Sequence, residues 1–105
     1  MTLVIKKRGI KCKLIKEKTV IDNNVICEMD VIKNESLHIF KARGTIETSI
    51  SLPITSSDIE GYTKFELGFD EPIEGISKIL IVITEVNWKD RKKARFESLS
   101  YKRAI

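Results

Sequence analysis

Apolar residues recur at every second position along most of this chain. Ile10, Cys12 and Leu14 alternate with Lys11 and Lys13, and Phe65, Leu67 and Phe69 alternate with Lys64, Glu66 and Gly68. Val25, Cys27, Met29 and Val31 share one face of a third such stretch. The cleanest example lies within Leu37 to Ile54, where Ile46, Thr48, Ile50, Leu52 and Ile54 oppose Thr45, Glu47, Ser49 and Ser51. A period of two is that of a half-buried β-strand, and no segment sustains the 3.6-residue apolar period of a long helix. One stretch departs from alternation. Ile79 to Val86 reads Ile-Leu-Ile-Val-Ile-Thr-Glu-Val, β-branched and apolar on both faces, with Gly75 before it and a polar stretch behind. Its length and composition predict a buried central strand, with Ile81 and Ile83 in the core.

Turn residues divide the remainder. A short strand over Thr2 to Lys6 ends at Lys7-Arg8-Gly9, and Lys33 to Ser36 forms a turn. Gly44 marks a bend or bulge, and Pro53 suits a strand terminus. Thr55 to Gly61 is a loop with one helical turn begun by Ser56 or Ser57, and Asp70 to Ser77 is a connection. The central strand runs on to Trp88, Lys89 to Lys93 makes a charged turn, and Ala94 to Lys102 returns as the last strand. Asp22, Asn23 and Asn24 tolerate left-handed backbone and form a hairpin loop between Lys11–Ile21 and Val25–Ile32. That loop sets Lys18 opposite Glu28, Lys16 opposite Asp30 and Val20 opposite Ile26, with favourable charge pairing. Cys12 and Cys27 then point to opposite faces, so two free thiols are expected, as in a reducing compartment.

Seven or eight short strands with turn signals between them predict one all-β domain over residues 1–105. The leading architecture is an antiparallel two-sheet sandwich, immunoglobulin-like or jelly-roll, and the alternative is a partly open β-barrel. Trp88 follows both cysteines instead of lying between them, so the spacing of true immunoglobulin domains is absent. The hairpin from Val86-Asn87-Trp88 to Leu99-Ser100-Tyr101 resembles the C-terminal hairpin of minor type IV pilins and pseudopilins, whose apolar N-terminal helix has no counterpart in this sequence.

Composition adds little to the fold and more to function. With 42% hydrophobic and 32% charged residues the chain is ordinary globular material. No apolar run nears the ~20 residues of a membrane helix. Leu3 to Ile5 precedes Lys6, Lys7 and Arg8, the reverse of a secretory signal's order, so the expected location is the cytoplasm. Charge is segregated: residues 1–18 hold seven Lys or Arg against one Glu, residues 56–77 six acids against one Lys, and residues 87–105 seven basic residues against two acidic. Basic ends bracket an acidic middle, which gives a field able to steer partners.

No nucleophile elbow, phosphate-binding glycine loop or metal-ligand spacing occurs, and His38 is the only histidine, so a non-catalytic protein is expected, with no cofactor and no metal. Asp58, Glu60, Asp70, Glu71 and Glu74 form a candidate acidic patch, from two connections that could share one end of a sandwich. Lys89, Arg91, Lys92, Lys93 and Arg95, beside Trp88 and Phe96, form a candidate basic partner-binding patch. The leading expectation is protein–protein contact or self-association, as a subunit of an oligomer, virion or surface assembly. The alternative is a nucleic-acid-binding β domain that uses the basic terminal segments on phosphates.

Overall fold

Seven strands and one short helix make up the computed structural model, which describes residues 2–34, 36, 39–99 and 101–102. The elements are β1 (Thr2–Lys16), β2 (Thr19–Asn34), β3 (Ile39–Glu47), α1 (Ser56–Glu60), β4 (Lys64–Ile73), β5 (Ile76–Val86), β6 (Lys93–Ser98) and β7 (Tyr101–Lys102). Their order is β2-β1-β4-β5-β6-β3-β7, every pairing is antiparallel, and β2 also pairs with β3. That last pairing closes six strands into a barrel. The all-β class is as expected; the two-sheet sandwich is not confirmed, and the barrel alternative is right in kind, although the ring closes instead of staying partly open. Two three-strand meanders, β1-β2-β3 and β4-β5-β6, join at both seams, and closure leaves no sheet to stack on another.

Closure depends on irregularities that the two-residue period does not announce. The β1–β2 turn is Glu17-Lys18, both with positive φ (49° and 67°), between the paired Lys16 and Thr19. This is a two-residue primed turn, whose backbone twist matches that of the strands it joins. Asp22, Asn23 and Asn24 are not the hairpin loop. They lie inside β2, where Leu14 pairs with Asp22 and Cys12 with Val25, so two residues of β2 oppose one of β1. A second bulge places Arg8 and Gly9 of β1 opposite Glu28 alone, with Gly9 at φ 63°. Bulges bend the strand and raise its twist, as a barrel wall requires. The chain thus spends its left-handed-tolerant residues on curvature.

The register follows from this. Lys6 pairs with Asp30 and Lys11 with Ile26, in place of the expected Lys16–Asp30 and Val20–Ile26 pairs. Cys12 and Cys27 now sit diagonally across β1 and β2 on the same inward face, both buried and both free. The face assignment is thereby corrected. Hydrogen bonding to Cys12, together with burial, pushes the Cys27 thiol far above its ordinary pKa, which leaves it an unreactive core group.

Inside the ring lie Leu14, Val31, Phe40, Phe65, Ile81 and Phe96, each at most 2% exposed. Ile81 and Ile83 are buried as expected, although β5 has no privileged central place in a closed ring. On its outer face Val82 is buried and Leu80 exposed, and α1 packs against this strand. The stretch after β3 is not a strand. Residues 48–54 cross one end of the barrel and bury Leu52 and Ile54, with Ile50 left exposed. Thr48 N–H donates to Lys92 O at 2.7 Å and Leu52 N–H to Arg91 O at 2.8 Å, which fastens the segment to the β5–β6 turn. Ser49 donates from both N–H and Oγ to the Asp22 carboxylate at 2.7 Å. Thr55, not Ser56 or Ser57, is the N-cap of α1, in a reciprocal capping box with Asp58.

Gly44 is the tightest point. It pairs with Met29 of β2 and with Phe96 of β6. A Cβ placed there would lie 2.0 Å from Glu28 O and 2.7 Å from the Met29 Cα. Only glycine lets β3 approach β2 this closely.

Candidate interaction surfaces

The acidic residues do not converge. Asp58 and Glu60 are on α1, just before β4, whereas Asp70 and Glu71 lie ~20 Å or more along that strand at ~3.3 Å per residue, and Glu74 is in the turn beyond it. Two of the five are already engaged. A hydrogen bond from the Thr55 backbone N–H, aided by the Thr63 hydroxyl, holds the Asp58 carboxyl below its usual range. Glu74 forms an ion pair with Lys33 at 3.1 Å. Among the described residues no three His, Cys, Asp or Glu side chains are placed to hold a metal ion. His38 lies outside the described residues.

The basic patch is partly dispersed as well. Lys89, Arg91 and Lys92 are exposed on the β5–β6 turn, which is fixed by Lys89 N–H to Asn87 Oδ1, Arg91 N–H to Asn87 O and Lys92 N–H to Asp90 Oδ1. The Arg91 guanidinium lies 5.6 Å from the centre of the Trp88 ring, and Trp88 is 46% exposed. Lys93 and Arg95 belong to β6 and face acids across the sheet. Lys93 pairs with Glu47, and Arg95 pairs with Glu85 at a long 3.8 Å.

One row on the outer wall of β1, β2, β3 and β6 is interleaved throughout. The pairings run Lys6–Asp30–Arg43–Glu97 from strand to strand, with charge alternating at each step. Opposite charges in such cross-strand positions stabilise a sheet modestly. In this row residues remote in sequence but complementary in charge are set side by side.

One region is not neutralised in its backbone. β1 pairs with β2 from Thr2 to Lys16, but with β4 only from Cys12 to Ile15. The two strands part at Cys12–Phe69; the same register extended three residues further would set the bulged Gly9 against Pro72, a residue without an N–H. Thr2 to Lys11 is therefore an open strand edge among the described residues. Leu3 and Val4 on it are 40% and 60% exposed, and Lys6, Arg8 and Lys11 are also exposed. A hollow of about 290 Å³ lies over β2, on the paired side of β1, and is lined by Lys6, Lys7, Arg8, Glu28, Asp30 and Arg43 among others. A larger hollow of about 570 Å³, over β2, β3, β6 and the end of β5, is lined by Glu28, Glu47, Glu85, Lys93 and Arg95 among others. Its mixed charges select no ligand sign.

The open edge is absent from the sequence-based candidates, although Lys6-Lys7-Arg8 before Gly9 is a known device for guarding exposed edges. No helix among the described residues is long and apolar enough to cross a membrane. No family model matches this chain, and no curated protein or solved structure matches it either.

Proposed function

We propose that this protein is a non-catalytic contact module, a subunit of a larger assembly, whose barrel holds the open β1 edge ready for a protein partner. The observation that carries this is the one-sided pairing of β1: its first ten described residues pair with β2 and with no strand on the β4 side. Edge strands pair readily with other chains, and main-chain hydrogen bonds supply the affinity. A second reading has its own support. The exposed Trp88 under Arg91, flanked by Lys89 and Lys92, has the elements of a stacking platform for single-stranded nucleic acid.

One pair of measurements separates them. A photocrosslinking residue at Val4 should yield protein adducts that the same residue at Lys78 does not. Trp88 is the sole tryptophan, so its fluorescence reports directly on the second reading. An oligonucleotide should leave it unchanged at 0.1 M salt. Quenching that weakens steeply with salt, together with no adduct at Val4, would replace the first reading with the second.

A further inference from the structure

Resting on the contact reading, we infer that the partner of the open β1 edge is an acidic, extended segment of another chain, which adds to the barrel wall as a strand.

The template is built, not frayed. Thr2 pairs with Asn34, and the β1–β2 pairing continues through Lys7–Met29, so the free side of β1 is held in extended form before any partner arrives. A preorganised edge lowers the ordering cost of strand addition. The opening also has a defined end, because β4 pairs with β1 no further than Cys12–Phe69.

Charge then selects the occupant. Lys6, Arg8 and Lys11 are exposed along the edge. Glu28 and Asp30 belong to β2, the next strand in, where Asp30 is opposite Lys6 on one side and Arg43 on the other. The outermost row is cationic. Carboxylates spaced by two along an added strand would face that row, and apolar residues would meet Leu3 and Val4 at its start.

A second copy of this chain fits poorly. Antiparallel self-pairing about the middle of the edge would set Lys6-Lys7-Arg8 against the same three cations, and like charges directly opposite destabilise a sheet. Slipping the register to avoid this leaves only Thr2 to Ile5 to pair. A nucleic acid strand fits less well too, since it would not use the row of main-chain donors and acceptors, and the acids of β2 lie beside the cations.

The test uses the whole protein and three ten-residue peptides of Val and Thr: one with Glu at alternate positions, one with Lys there, and one with Glu plus a central Pro. Calorimetry should show binding of the Glu peptide alone. Amide hydrogen exchange should slow within residues 2–11 of the protein and stay unchanged in 79–83. Lys6→Glu with Arg8→Glu should weaken binding by about tenfold or more. Both side chains are exposed, and an unchanged thermal melt would show that the variant folds. The peptide substitutions test the same point without altering the protein. Equal binding of Glu and Lys peptides, or protection of residues 2–11 by dimerisation at high protein concentration, would overturn the inference but leave the contact reading standing. Binding without protection of residues 2–11 would also overturn it. No peptide binding, no dimer and no adduct at Val4 would remove both.

Discussion

Strand β1 runs through two environments, and its halves differ in neighbours more than in local sequence pattern. From Cys12 to Ile15 it is paired on both sides, and Cys12 and Leu14 are 1% and 0% exposed. From Thr2 to Arg8 it is paired on one side, and apolar Leu3 and Val4 stand 40% and 60% exposed. The inner half is wall, and the outer half is edge. Burial in a barrel comes from closure of the ring, so a strand that outruns its neighbour changes role within a few residues. Lys6, Lys7 and Arg8 then serve a purpose that charged residues do not serve inside a wall: they keep a hydrophobic edge from pairing with its own kind.

The widest expected difference is between the two ends of this contrast. Ile81→Ala removes side chain from a fully buried site and should cost ~2–5 kcal/mol in denaturant unfolding. Val4→Ala, on the edge, should change stability by no more than ~0.5 kcal/mol. Similar losses would mean that the edge is packed in solution and is no edge.

Two glycines sharpen the comparison at the bends. Gly44→Ala would drive a Cβ into the Glu28 carbonyl and the Met29 Cα, backbone atoms that cannot swing aside. It should cost about 3 kcal/mol or more, the upper end for overpacking, because the β2–β3 seam must part. Gly9→Ala has nothing within 4 Å of its Cβ and meets only the strain of positive φ, ~1 kcal/mol. Thermal melts of the two variants would order them. A larger loss at Gly9 would place the critical bend at the bulge instead of the seam.

The sequence made the strands legible because inward residues of a barrel alternate just as those of a sandwich do. It did not distinguish the two architectures, because the decisive pairing, β2 with β3 on one side and β1 on the other, joins residues such as Cys27 and Ile46 whose pattern is the same in either. The hairpin was misplaced for a clearer reason. Asp22-Asn23-Asn24 has the stronger turn chemistry, yet Asp22 is recruited by Ser49, 27 residues on and just past β3, and Glu17-Lys18 takes the left-handed turn without a glycine. Long-range demand overrode local preference. The same applies to residues 48–54, whose alternation buries Leu52 and Ile54 under the barrel end without any strand partner. Of the surfaces, the Trp88 turn was visible as a run of cations, whereas the acidic patch was an accident of sequence proximity. The open edge left one trace in the sequence, the Lys6-Lys7-Arg8 run, but its extent was not legible, since it is set by β4 pairing with β1 only from Cys12 to Ile15.

Asp22 and Glu74 anchor opposite ends of the barrel, and the smallest difference lies between them. Burial alone would raise the Asp22 carboxyl, but hydrogen bonds from the Ser49 hydroxyl and from the Asn24 and Ser49 backbone N–H groups outweigh it and hold its pKa below the ordinary value. A depressed folded-state pKa means that the ionised form favours folding. The contribution is therefore full above the unfolded value of ~3.9 and is lost as pH falls through the lower, folded value. Asp22→Asn keeps the shape and removes the charge, so it should cost about 2 kcal/mol at pH 7, the scale of hydrogen bonds to a charged group. Its deficit against the parent protein should shrink steadily below pH 4. The Lys33–Glu74 pair, with side chains 15% and 26% exposed, ties the β4–β5 turn to the far end of β2 beside the open edge. Glu74→Gln should cost no more than ~1 kcal/mol, less at high salt. Unfolding curves at pH 7 and pH 3, each at low and high salt, separate the two. An Asp22→Asn deficit that persists undiminished at pH 3 would show that Asp22 acts through shape rather than charge, alongside the packing of Leu52 and Ile54 and the backbone bonds of Thr48 and Leu52 to the β5–β6 turn.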